Sequence, residues 1–165
     1  MTNLAVIISA MILVESSGND LAVSVKGACG PLQIRHIYVE DVNRITGRRY
    51  TDADTFDRTK SIEMLLCYWA KYGKECSVES MLGAHYRGPR LKDDKLGRRY
   101  AARVLQATKL VKDEDVAWTT KTIEKLDIPY VRALIADSGG KSIHLEPVQS
   151  AGRSWIMRLR KFMLG

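Results

Sequence analysis

The chain opens on a run, residues 4–14, that is apolar almost without interruption and ends against Glu15. A helix over residues 3–16 with apolar side chains on most of its circumference has little solvent face to offer, so it is expected to be buried. Gly18 and Asn19 stop it, and the stretch 17–35, rich in glycine and small residues, reads as a loop or short hairpin. Further on, apolar residues return at helical spacing. Residues 36–46 predict a second helix on Ile37, Tyr38, Val42 and Ile45. Asp52, Asp54 and Asp57 favour the start of a long helix reaching about Tyr72, because side-chain oxygens and negative charge stabilise the unpaired N–H groups at a helix start. Phe56, Leu65, Leu66, Trp69 and Tyr72 form its buried stripe. Ser77 caps a shorter helix to about Tyr86, and residues 94–111 give another with Leu96, Tyr100, Val104, Ala107 and Val111 inward.

After about Lys112 the texture changes. Residues 113–126 predict one more helix, broken before Pro129, and 131–136 and 142–148 read as two strands around Ser138-Gly139-Gly140-Lys141. The last segment, 150–164, reads as a short helix with Trp155, Leu159 and Phe162 set against Arg153, Arg158, Arg160 and Lys161. The expected fold is mainly α: a helical domain over residues 1–112 and a small helix–hairpin–helix α/β appendage over 113–165.

A length of 165 residues suits one ordinary domain, or a domain with an appendage. The hydrophobic fraction of 45% and charged fraction of 27% are those of a soluble globular protein and do not indicate disorder. The formal net charge of +7 favours a polyanionic partner such as an acidic cell wall, nucleic acid or an anionic membrane surface. Residues 1–112 carry 18 Lys and Arg against 12 Asp and Glu, and residues 113–165 carry 8 against 7, so most of the excess sits in the helical part. Cys29, Cys67 and Cys76 are odd in number and contain no CxxC pair, which fits free thiols rather than a disulfide framework or a zinc site. The N-terminal apolar run lacks a preceding basic segment and a following small-residue cleavage site, and it is too short to span a bilayer. Its removal would also detach the helix that carries Glu15. The expectation is a protein made in the cytoplasm without a Sec signal and without a transmembrane segment.

Glu15 is the leading candidate for chemistry. A carboxylate at the end of a greasy helix is desolvated, its pKa rises, and it can hold a proton near neutral pH for use as a general acid. The run Glu15-Ser16-Ser17-Gly18-Asn19, the block Gly27-Ala28-Cys29-Gly30-Pro31-Leu32-Gln33-Ile34 and the block Ala84-His85-Tyr86-Arg87-Gly88-Pro89 occur in that order at domain-sized spacing. Over about residues 4–112 these blocks resemble the lysozyme-like lytic transglycosylases, a peptidoglycan-cleaving superfamily that includes the goose-type lysozymes. The stretch 38–47 and Ser61-Ile62-Glu63-Met64 also look like its small phage and bacterial members.

The resemblance implies a lysozyme-like helical domain acting on peptidoglycan glycan strands, at the β-1,4 bond between N-acetylmuramic acid and N-acetylglucosamine. Glu15 would be the acid and then the base. Ser17 would support the acid and ligand, Gln33 would hydrogen-bond sugar, and Tyr86 would line the cleft. Arg87 stands where relatives carry Asn. The superfamily is often served by one Glu; Asp20, Glu40, Asp41 and Glu63 are the carboxylates available for a second role, with helix-face positions for Glu40 and Glu63. His36, His85 and His144 are too scattered for a metal site, although His85 falls in the third block. No metal and no cofactor are expected. Wall activity without a Sec signal fits phage-type release or delivery.

The tail carries a second resemblance. Ile128-Pro129-Tyr130 through Ser138-Gly139-Gly140-Lys141-Ser142-Ile143-His144 looks like the strand–turn–strand of archaeo-eukaryotic-type primases, whose Gly-rich turn contacts nucleotide phosphates. A nucleic-acid-binding or primase-like module is therefore the alternative reading, and a non-catalytic wall-binding relative is a third.

Overall fold

A computed structural model describes residues 4–73 and 76–126. It contains α1 (Leu4–Ser16), α2 (His36–Thr46), α3 (Arg58–Tyr72), α4 (Val78–Arg87), α5 (Lys95–Ala107) and α6 (Asp113–Lys125), with short 3₁₀ turns at Asp52–Phe56 and Thr108–Leu110. The fold is mainly α, as the apolar spacing predicts. Among the described residues extended pairing is limited to isolated bridges, Val23 with Cys29 and Cys29 with Ile34, in the loop after α1. The expected hairpin over 131–148 and final helix over 150–164 lie outside the described residues.

The helix starts follow from short polar side chains. Asp57 accepts from the N–H groups of Thr59 and Lys60 at 2.9 and 3.1 Å, so α3 begins there and Asp52–Phe56 forms a separate 3₁₀ turn rather than its first turn. Ser77 caps α4 through Ser80 N–H, and Asp94 caps α5 through Gly97 N–H.

α1 is the central post. Leu4, Ala5, Ile7, Ile8, Ala10, Met11 and Ile12 are all buried, and α5 and α6 pack along it. Burial on every side explains why its sequence shows no polar stripe. α3 supplies Ile62, Met64, Leu65, Leu66 and Trp69 to the same core, and Trp69 Nε1 donates to Met81 O at 2.9 Å to join α3 to α4. The α4–α5 connection is held close by two glycines: a Cβ on Gly83 or Gly97 would lie 1.9 or 2.2 Å from the Lys92 carbonyl oxygen.

Two inward expectations give way. Ile37 is 69% exposed, because α2 buries the face formed by Tyr38, Val39 and Val42 and position 37 falls on the other side. Leu96 is exposed because the buried face of α5 is centred on Gly97, Tyr100, Ala101 and Val104, leaving the first turn's Leu96 at its margin. Phe56 and Tyr72 are only partly buried.

α6, placed by its sequence in the appendage, lies against α1. Thr119, Thr122 and Ile123 are buried, Ser9 Oγ donates to Asp115 O at 3.3 Å, and the Ser9 and Thr119 hydroxyls share a 2.8 Å hydrogen bond. No helix among the described residues is long and apolar enough to cross a membrane.

Candidate active site

Glu15 occupies the last turn of α1, just before the chain breaks away through Ser17 at φ 54° and Gly18 at φ 83°. Its side chain is only 13% exposed. Burial disfavours the carboxylate and raises its pKa above the usual range, while the Tyr100 hydroxyl and the positive charge of Arg103 pull it partly back down. The C-terminal end of α1 adds unpaired carbonyls, which also disfavour a negative charge.

Helices α2, α4 and α5 bring the surrounding groups. His85 of α4 donates from Nε2 to Leu32 O at 3.2 Å, and that same nitrogen lies 3.8 Å from Glu15 Oε1. A carbonyl only accepts, so the ring carries its proton on Nε2. Burial holds the imidazole pKa down to about 4, which keeps His85 neutral at neutral pH. Tyr38 of α2 meets His85 edge-on, with centroids 5.6 Å apart, and its other contact is a stack on Tyr68 at 4.1 Å. The Tyr100 ring of α5 lies 6.2 Å from the imidazole, centroid to centroid. Its hydroxyl and the Glu15 carboxyl act on each other, lowering the carboxyl pKa and raising that of the phenol.

Tyr38 Oη, His85 Nδ1 and Tyr100 Oη are buried atoms that have no hydrogen-bond partner among the described residues. All three belong to the group around Glu15. Buried polar atoms are normally paired, and a concentration of exceptions around one carboxyl makes this group the candidate site. The group reaches solvent through Tyr86, which is 50% exposed and stacks on Tyr100 with centroids 4.7 Å apart and planes 4° from parallel.

The loop of the second block is shaped by a few residues. Gly30 adopts φ 76° and passes so near the 3₁₀ turn that a Cβ would lie 1.8 Å from Thr55 O, a conformation and a clearance that favour glycine. Leu32 and Ile34 anchor the loop in the core, and the Leu32 carbonyl holds His85. Gln33 stands between these anchors at φ 48°; its Nε2 donates to Ala22 O at 3.2 Å and Gly30 O at 2.9 Å. Its Oε1 accepts nothing from the described residues, so half of the amide braces the loop and the other half is available to a ligand. Ser17 is exposed, and its backbone N–H closes α1 on Leu13 O; its hydroxyl is not bonded to Glu15.

Glu15 and Tyr86 are thus joined through Tyr100, with Gln33 beside the residue that fixes His85. The available second carboxylates are engaged elsewhere: Asp20 with Arg58 at 2.7 Å, Glu40 with His36, Asp41 with Arg44, and Glu63 with Arg48. Arg87 is tied to the α5 cap, Nε to Asp94 Oδ2 at 3.0 Å, and so stitches α4 to α5.

Sequence reasoning treats Tyr38 and Tyr100 as core and misses Arg58 and Arg103. Arg58 binds Asp20 and the Gly18 carbonyl, the latter at 2.7 Å, and thereby fixes the loop after Glu15. Cys29, Cys67 and Cys76 are free thiols, and among the described residues no group of three or more His, Cys, Asp or Glu is set to hold a metal ion. Comparison with family models, with curated proteins and with solved structures gives no match to this chain.

Proposed function

We propose that the protein cleaves the β-1,4 bond between N-acetylmuramic acid and N-acetylglucosamine in peptidoglycan, with Glu15 as general acid and then general base. The observation that carries this reading is the buried Glu15 carboxyl with its raised pKa, set among the unpaired Tyr38, His85 and Tyr100 atoms. Glycosidic cleavage needs a proton delivered to the leaving oxygen as positive charge grows at the anomeric carbon. A desolvated carboxyl holds that proton at a pH where an ordinary Glu has lost it.

The resemblance of the three sequence blocks supports the same chemistry. Glu15 gives its proton to the leaving sugar oxygen. As the carboxylate, it then takes a proton from the second nucleophile, either the muramyl 6-hydroxyl in a transglycosylase or water in a lysozyme. The ion pairs of Asp20, Glu40, Asp41 and Glu63 favour a one-carboxylate mechanism, because each of these carboxylates is already bound to a basic side chain. Tyr86 offers a ring face to a sugar, and the Gln33 amide oxygen can accept from an N-acetyl N–H.

The deciding experiment is digestion of purified peptidoglycan followed by mass analysis. Anhydro-muramyl ends identify a transglycosylase and reducing ends a hydrolase. Absence of both from the wild-type digest rejects the proposal.

A further inference from the structure

α5 carries a one-sided charge. Lys95, Arg98, Arg99 and Arg103 are exposed, and the helix contains no Asp or Glu. Lys95, Arg99 and Arg103 follow one another at four-residue spacing, which lines them along one face, and like charges at that spacing repel. None of these three forms a salt bridge among the described residues; Arg98 turns back to the Asp93 carbonyl. The row ends at the candidate site: the Arg103 guanidinium lies 5.7 Å from the centroid of the Tyr100 ring, on which Tyr86 also stacks, and its charge acts on the Glu15 carboxyl.

We propose that Arg103, continued by Arg99, binds the carboxylates of the peptide stem on the muramyl sugar, so that the protein selects peptide-bearing glycan over an uncharged strand. This rests on the peptidoglycan reading of Glu15. In such a strand the cleaved bond and the anionic stem belong to the same sugar residue, so a cation beside the acid stands where that charge is carried. Guanidinium suits the task because it presents several N–H donors in one plane to a carboxylate. Repulsion along Lys95, Arg99 and Arg103 is relieved when an anion lies over them.

The test uses the full chain carrying Glu15→Gln, so that ligands are not turned over. Titration calorimetry compares an uncharged N-acetylglucosamine oligomer, a peptide-bearing glycan oligomer of equal length and a single-stranded oligonucleotide, each at low and high salt. Adding Arg103→Gln is expected to weaken binding of the peptide-bearing oligomer by roughly threefold to tenfold, the range of exposed to charge-assisted contacts, and to leave the uncharged oligomer unaffected. Arg99→Gln should do the same more mildly, Arg103→Lys should restore part of the affinity, and high salt should erase the wild-type preference.

If both glycans bind but Arg103→Gln and Arg99→Gln leave the ratio of their affinities unchanged, this inference is overturned while the proposed function stands. If neither glycan binds, both fall. Tighter binding of the oligonucleotide, lost with Arg103→Gln, overturns the inference in favour of a nucleic-acid surface.

Discussion

His85 Nε2 lies 3.8 Å from Glu15 Oε1, and burial drives the two groups in opposite directions, the carboxyl upward and the imidazole down to about 4. A carboxyl and a histidine this close usually form an ion pair. Here the imidazole proton is committed to the Leu32 carbonyl, and neither ring nor carboxyl is favoured in its charged form. The pair therefore lacks the charge on either side that an ion pair would need to draw on, and burial sets the direction of both shifts.

Replacing Glu15 with Gln is expected to lower wall cleavage by roughly 10²–10⁴-fold, the usual worth of general acid–base help. The same variant should be more stable than wild type at neutral pH. A carboxyl whose pKa is higher folded than unfolded contributes stability at low pH that is lost as pH rises through the folded pKa, and Gln does not ionise. Thermal unfolding of both proteins from acid to neutral pH checks this. A Tm gap that does not widen with pH would show that Glu15 is not desolvated.

His85 has the opposite sign. Its folded pKa of about 4 lies below the ordinary value of 6.5, so the unfolded chain binds more protons between them and stability falls as pH drops through that window. The loss is at most roughly 3 kcal/mol for this group. His85→Gln keeps an N–H donor for Leu32 O, and its denaturation midpoint should depend less on pH over that range. Parallel curves for variant and wild type would contradict the neutral, buried imidazole.

Gly30→Ala puts a methyl against Thr55 O at a positive φ, and a cost of roughly 2–4 kcal/mol is expected from strain and overpacking together. Gln33→Ala removes the amide bonds to Ala22 O and Gly30 O, which should cost about 1–2 kcal/mol and also raise KM. Denaturant titration and kinetics on soluble peptidoglycan fragments separate the two effects. An unchanged KM for Gln33→Ala would place its amide oxygen outside the substrate contact.

Ile123→Ala tests the attachment of α6. The side chain is 2% exposed, and emptying such a position usually costs about 2–5 kcal/mol. A loss well under 1 kcal/mol, measured by chemical denaturation, would mean that α6 docks only loosely on α1.

The helices were legible because their signals are local. Asp57, Ser77 and Asp94 announce helix starts by one side chain each, and α1 declares its burial by having almost no polar position. Glu15 was legible for the same reason, at the end of that run. Its surroundings were not: Tyr38, His85 and Tyr100 come from three helices, and in sequence the two tyrosines look like ordinary core aromatics. Only the packing of α2, α4 and α5 brings their polar atoms together. Ile37 and Leu96 failed for a related cause, since spacing gives the period of a helix but neighbouring helices choose which part of its circumference is covered.

Arg58 has a consequence for residues that carry no chemistry. Its guanidinium holds Asp20 and the Gly18 carbonyl on one side and lies 5.4 Å from the centroid of the Trp118 ring of α6 on the other. The segment leaving Glu15 is consequently strapped to a helix almost a hundred residues further along the chain. A substitution at Trp118 would therefore reach, through Arg58, the segment that follows Glu15.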